Sequence, residues 1–137
     1  MVTGPPAAGK SAWVRTRAKD GDITIDFDRM AATLTPNVVN HDPPKHIVTI
    51  AIAARKAAIR TALPMSWTRD VYVIHSMPSR RQLAEYGQYD AQIITLDPGR
   101  EECLQRASAD NRPKRSFEII NEWYARNTNQ AYAKADW

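Results

Sequence analysis

Eight residues close to the amino terminus, Gly4-Pro5-Pro6-Ala7-Ala8-Gly9-Lys10-Ser11, match the pattern G-x-x-x-x-G-K-[ST] in full. Each position answers to a phosphate. The glycines let the backbone turn tightly, so that consecutive N–H groups aim at the α- and β-phosphates. Lys10 reaches β/γ-phosphate oxygens, and the Ser11 hydroxyl is a ligand for Mg²⁺. A helix opening at Ser11 adds its positive end beneath the phosphates. Such a loop needs a strand to feed it and a helix to leave it, which constrains the chain to an α/β fold. Gly4 through Ser11 are therefore the expected nucleoside-triphosphate site. Only Met1, Val2 and Thr3 precede the loop, fewer than the five or so residues of an ordinary strand. Either this central strand is short or the true start lies upstream.

Further along, short apolar runs alternate with helical patterns. Ile23–Ile25, Val71–Ile74 and Gln92–Leu96 read as strands, and their continuous apolar character suits cover on both faces. Helices are expected over Ser11–Lys19, His46–Leu63, Ser79–Tyr86, Gly99–Ala107 and Ser116–Ala125. In the long second one, Ile47, Ile50, Ala51, Ala54, Ala58 and Ile59 form the apolar stripe, with Arg55, Lys56 and Arg60 off it. Pro64 stops that helix. The alternation predicts right-handed crossovers and a parallel sheet with helices on both faces. With 137 residues and no linker or repeat, one domain spanning 1–137 is expected.

Composition narrows the setting. The single cysteine, Cys103, allows no internal disulfide and fits a reducing compartment. No apolar run approaches the roughly eighteen residues of a membrane span, and the amino terminus lacks a basic and apolar leader. A soluble, cytoplasmic protein is expected. A formal charge of +4 is modest for a nucleic-acid module and suits phosphate-bearing substrates equally well.

Other motifs separate the classes of phosphate-loop protein. A guanine-reading N/T-K-x-D motif is absent, which argues against a GTPase. Asp97 ends an apolar strand but is followed by Pro98-Gly99 rather than glutamate. It is either a carboxylate for the water shell of Mg²⁺ or a turn and helix cap. Ile25-Asp26-Phe27-Asp28-Arg29 follows the second strand, whose carboxyl end faces the γ-phosphate in such folds. An aspartate there can take the proton of an attacking hydroxyl. Extended geometry sends Asp26 and Asp28 to opposite faces, so only one is expected to look into the site. His41, His46 and His75 lack ligand spacing with the cysteine, which excludes a zinc site. His75 and Cys103 read as core residues, and Phe117, Trp123 and Tyr124 as packing.

The loop, the D-x-D-R element and an arginine-rich carboxyl-terminal segment together resemble the small P-loop kinases of the polynucleotide-kinase-like and zeta-toxin-like family, often labelled AAA-type ATP-binding domains. Versions carried by phages of actinobacteria look especially similar, sharing I-H-S-M-P after a strand and a later L-D-P-G-R-x-x-C-L, here Ile74–Pro78 and Leu96–Leu104. The resemblance implies a P-loop NTPase three-layer sandwich with a short parallel sheet and a small helical lid, with ATP and Mg²⁺ as cofactors. It implies Asp28 as the catalytic base, Asp26 in reserve, and Arg29 as an acceptor contact, although D-x-D-R departs from the commoner D-x-x-R. The lid matches residues 106–115, from which Arg106 and Arg112 are the expected phosphate clamps and Arg115 the weaker choice.

Guanidinium groups suit that work because they neutralise charge spread over the equatorial oxygens. The favoured reading is an ATP-dependent kinase with Lys10, Asp28, Arg106 and Arg112 as its catalytic residues. Its acceptor hydroxyl belongs to a nucleic-acid end, a nucleotide or a small metabolite. A non-catalytic ATP-binding module and a DNA-stimulated ATPase are the alternatives, the latter weakened by the missing second carboxylate.

Overall fold

Side-chain alternation along the central strands decides how the layers form. The computed structural model describes residues 1–36 and 41–135. Its elements are β1 Val2–Thr3, α1 Lys10–Arg15, β2 Ile23–Ile25, α2 Phe27–Thr33, α3 Lys45–Ala62, β3 Val71–His75, α4 Arg80–Gly87, β4 Ile94–Thr95, α5 Arg100–Ala109 and α6 Lys114–Ala135. A 3₁₀ turn, Leu63–Trp67, follows α3 at the proline that ends it. The four strands form one sheet in the order β2-β3-β1-β4, all parallel. Among the described residues no helix is long and apolar enough to cross a membrane.

In β3, Val73 joins Met1, Ile25, Ile59, Leu63 and Tyr86 in one buried cluster. Its neighbours Tyr72 and Ile74 join Val2, Val14 and Trp13 in another. Successive side chains of a strand point to opposite faces, so α3 and α4 cover one face of β3 and α1 the other. A third cluster joins Cys103, Ala107 and Ile120 of α5 and α6 to the loop residues Ala7 and Ala8. The carboxyl-terminal helices are thereby fixed directly against the glycine loop.

β1 has two residues, paired to strands on both sides: Val2 opposite Ile74 and Ile94, Thr3 opposite His75 and Thr95. It is short, as its sequence allows, and central. At its end Gly4 adopts φ 143°, and a Cβ there would stand 2.3 Å from the Leu96 carbonyl oxygen. Only glycine lets the chain leave the sheet this close to β4.

Several expectations are corrected. α1 ends at Arg15 rather than Lys19, where Arg17 N–H closes onto Val14 O (3.0 Å) in a tighter i−3 turn and Thr16 Oγ1 donates to Trp13 O (2.9 Å). β4 has only two residues, and Ile93 beside it is 53% exposed, so this edge lacks cover on both faces. α6 runs past Ala125 to Ala135. Asn127 Nδ2 and Thr128 Oγ1 donate to Trp123 O and Tyr124 O (both 2.8 Å), which turns polar residues that favour loops into helix partners. In α3, Ile50 is 50% exposed whereas Ile47, Ala51 and Ile59 are buried. The stripe therefore runs at i, i+4 spacing through 47, 51, 55 and 59, which brings Arg55 onto the inner side.

Gly4→Ala should lower the unfolding free energy by about 2–4 kcal/mol, since both the backbone angle and the carbonyl contact oppose a side chain. Urea denaturation with an unchanged m-value is the measurement, and a loss below about 0.5 kcal/mol would mean the loop re-forms elsewhere.

Candidate phosphate-binding cleft

β1 and β3 are neighbours whose outgoing connections run to opposite sides of the sheet, toward β2 and β4 respectively. In open parallel sheets the crevice outside the carboxyl ends of such strands is where ligands bind. Here that crevice is a cleft of about 940 Å³, walled by the loop, the start of α2, the inner side of α3, the segment after β3, and the α5–α6 connection.

The loop forms its base. Gly9 (φ 91°) and Ala7 (φ 61°) both occupy the left-handed region, and Gly9 is the residue from which α1 starts. Lys10 does not point into solvent. Its Nζ donates to the carbonyl oxygens of Gly4 (2.8 Å) and Pro5 (2.7 Å), closing the loop on itself. Burial, and then the positive charge of Arg112, pull the Lys10 ammonium down from 10.5 to about 8, against the favourable pull of Asp26 and Asp28. Lys10 and Arg112 therefore share one field. Of the expected loop residues, Pro6 to Ser11 border the cleft, while Gly4 and Pro5 lie behind them as its support.

Asp26 and Asp28 border the same cleft, contrary to the expectation of opposite faces. Extended backbone ends at Asp26 (φ −128°, ψ 125°), which caps α2 by accepting the Asp28 N–H on Oδ1 at 3.2 Å. The helix then turns Asp28 toward the cleft. The cap signature was present in the D-x-D spacing, and it went unread as the start of a helix. The two carboxylates differ in setting. Asp26 is buried, 7% exposed, and its Oδ2 accepts the Ser11 hydroxyl at 2.6 Å. Asp28 is half exposed and faces His41 Nδ1 at 2.9 Å. Arg29 is not brought into the cleft; its Nη1 donates to Thr24 Oγ1 at 3.3 Å on the exposed surface.

The arginines approach from α5 and its connection to α6. Arg106 Nη1 reaches Ala7 O at 3.5 Å, and its Nε donates to Glu102 at 2.8 Å. Arg112, with 17% of its side chain exposed, makes two 3.4 Å contacts to Asp110 Oδ2. The Arg106–Glu102 pair, nearly half exposed on both sides, contributes at most about 1 kcal/mol, so an incoming polyanion can draw that guanidinium off its carboxylate. Arg115 borders the cleft too, paired with Glu118 and mostly exposed. Lys10, Arg106, Arg112, Asp26 and Asp28 thus border one cleft, with Asp26 tied to the loop through Ser11.

A second depression of about 500 Å³ shares Ala8, Gly9, Ala12 and Arg106 with the cleft and continues to Trp13 and the Asp97-Pro98 turn. Asp97 takes Tyr124 Oη (2.6 Å) and Gly99 N–H (3.1 Å) on Oδ1, the turn-and-cap reading of that residue. Cys103 is fully buried.

One cleft residue, Arg55, escaped sequence reasoning, and another was read in part. His75, a core residue as expected, lies at the cleft floor with Nε2 2.6 Å from Tyr86 Oη. Burial, followed by the Arg55 charge, pushes its pKa down to about 3, and burial pushes Tyr86 up to about 12. Arg55 also borders the cleft, and its i±4 relation to Ala51 and Ile59 was the signal available. Oxygen donors for a hard cation are at hand in Ser11 and Asp26. Among the described residues no cluster of three or more His, Cys, Asp or Glu side chains is placed to hold a metal.

Compared with family models, with curated proteins and with solved structures, the chain finds no match.

The Lys10 pKa sets a pH dependence. Its folded value of about 8 lies below its unfolded 10.5, so the unfolded chain binds more protons between these limits. The cost of holding the ammonium in the loop is full below pH 8 and is relieved as pH rises toward 10.5. Relative to Lys10→Met, the wild-type chain should gain stability from pH 8 to 10. A ¹³Cε titration of Lys10 should show a midpoint near 8 that moves upward when a triphosphate binds.

Proposed function

We propose that this protein is an ATP-binding phosphotransferase of the P-loop kinase kind, which passes the γ-phosphoryl group of ATP to an acceptor hydroxyl. The observation that carries the reading is the juxtaposition in one cleft at one sheet end of the G-x-x-x-x-G-K-S loop and its lysine with two arginines and two aspartates. The loop amides and Lys10 hold the triphosphate, and α5 with the start of α6 serves as the lid that brings Arg106 and Arg112 onto its oxygens. The depression toward Trp13 and Pro98 receives the nucleoside.

Mg²⁺ supplies charge neutralisation at the β- and γ-phosphates, and Ser11 with the buried Asp26 would hold it or its water shell. Asp28, the more accessible carboxylate, accepts the proton of the acceptor hydroxyl. The freed oxygen attacks the γ-phosphorus as the bond to the β–γ bridging oxygen breaks, and ADP leaves. Arg106 and Arg112 compensate the charge that spreads over the equatorial oxygens during transfer.

Incubation with γ-labelled ATP and Mg²⁺ against 5′-hydroxyl DNA and RNA, nucleosides, nucleotides and sugars tests this reading. Label on an acceptor supports it. Label released only as free phosphate makes the protein an ATPase, and bound but unreacted ATP makes it a non-catalytic module.

Two substitutions sharpen the assignment. Lys10→Ala should weaken ATP binding at least 100-fold, or about 2.7 kcal/mol, by calorimetry; near-normal affinity would remove the loop from the site. Asp28→Asn should leave ATP affinity within about threefold and reduce transfer by 10²–10⁴. Retained turnover would move the base to Asp26.

A further inference from the structure

Arg55 is a cation whose bonding within the fold is incomplete. Its position in α3, between the buried Ala51 and Ile59, is one that an apolar residue would fill in a helix built only for packing. The guanidinium instead reaches the carboxyl end of β3, where one nitrogen, Nη2, donates to the Ile74 carbonyl oxygen at 2.5 Å. Its Nε is buried with no hydrogen-bond partner. Among the described residues no carboxylate forms an ion pair with it. A guanidinium carries five N–H donors, and at this partly buried position only the Ile74 carbonyl accepts one among the described residues. Burial accordingly disfavours its charged form, with Tyr86 and Asp26 only partly compensating. The Arg55 side chain borders the same cleft as Asp28. It belongs to α3, an element separate from the α5–α6 segment that carries Arg106 and Arg112.

We propose that Arg55 receives an oxyanion of the phosphoryl acceptor, so that the acceptor is itself a phosphorylated molecule, held by Arg55 while its hydroxyl faces Asp28. The planar fork of a guanidinium matches two phosphate oxygens at once, and the anion supplies the counter-charge the fold omits. His75 and Tyr86, bonded to each other, are neutral and add no charge of their own beside Arg55. This inference rests on the phosphotransferase reading for the identity of the anion as acceptor, but the anion site itself stands apart from the loop.

The test is a titration of the full chain with inorganic phosphate, followed by the ¹H–¹⁵N signal of the Arg55 side-chain Nε, in the presence of saturating Mg²⁺ and a non-hydrolysable ATP analogue. Arg55→Lys identifies the signal. The Arg55 signal should shift saturably, and phosphate affinity should fall at least tenfold in Arg55→Met while affinity for the analogue stays within about twofold. An unmoved Arg55 signal, or equal phosphate affinity in the variant, overturns the proposal. Should Arg55→Met fail to fold, the wild-type titration decides by itself. An analogue that leaves the loop amides and Lys10 unperturbed would defeat the ATP reading. A saturable response of Arg55 to phosphate would survive that result as an anion site.

Discussion

The cleft hangs from the place where β1 stops. Val2 and Thr3 are bonded to strands on both sides, and the next residue, Gly4, must turn out of the sheet under the Leu96 carbonyl. That turn fixes the height of the loop above the sheet, and Lys10 then ties the loop to itself through the Gly4 and Pro5 carbonyls. From this base the remaining walls are positioned by packing rather than by their own bonds. Ala7 and Ala8 seat α5 and α6 through Cys103, Ala107 and Ile120, and those helices carry the arginines.

Charge in the cleft is arranged by element. Lys10, Arg106 and Arg112 gather near the loop, Asp26 and Asp28 at the start of α2, and Arg55 on the α3 wall. In the free protein each outer cation leans on a nearby carbonyl or carboxylate, as Arg106 does on Glu102 and Arg112 on Asp110. The first of these, exposed on both sides, contributes at most about 1 kcal/mol to the fold. The Ser11–Asp26 bond is of another kind, shorter and buried, and it couples the loop to α2 before any ligand arrives.

Much of this was legible in the sequence. The loop motif, the three apolar runs and the helix stripes gave the order of strands and helices, because each depends on a local pattern that burial enforces. What escaped depends on geometry that spacing does not encode. The switch from extended to helical backbone at Asp26 reversed the expected divergence of two aspartates. Arg55 was read as solvated because charge outweighed its position in the helical period, and only the end of β3 shows why a cation is accepted there. Arg29, next in sequence to the chosen base, turned to Thr24 instead.

The hydrogen-bonded His75 and Tyr86 have a consequence for how the cleft senses its medium. One releases its proton at about pH 3 and the other near 12, so between these extremes the two rings form an electrically silent bed. Acidity and ionic strength can then act only through the basic and acidic side chains above it, and whatever selectivity the cavity has for charge is written at its rim and walls.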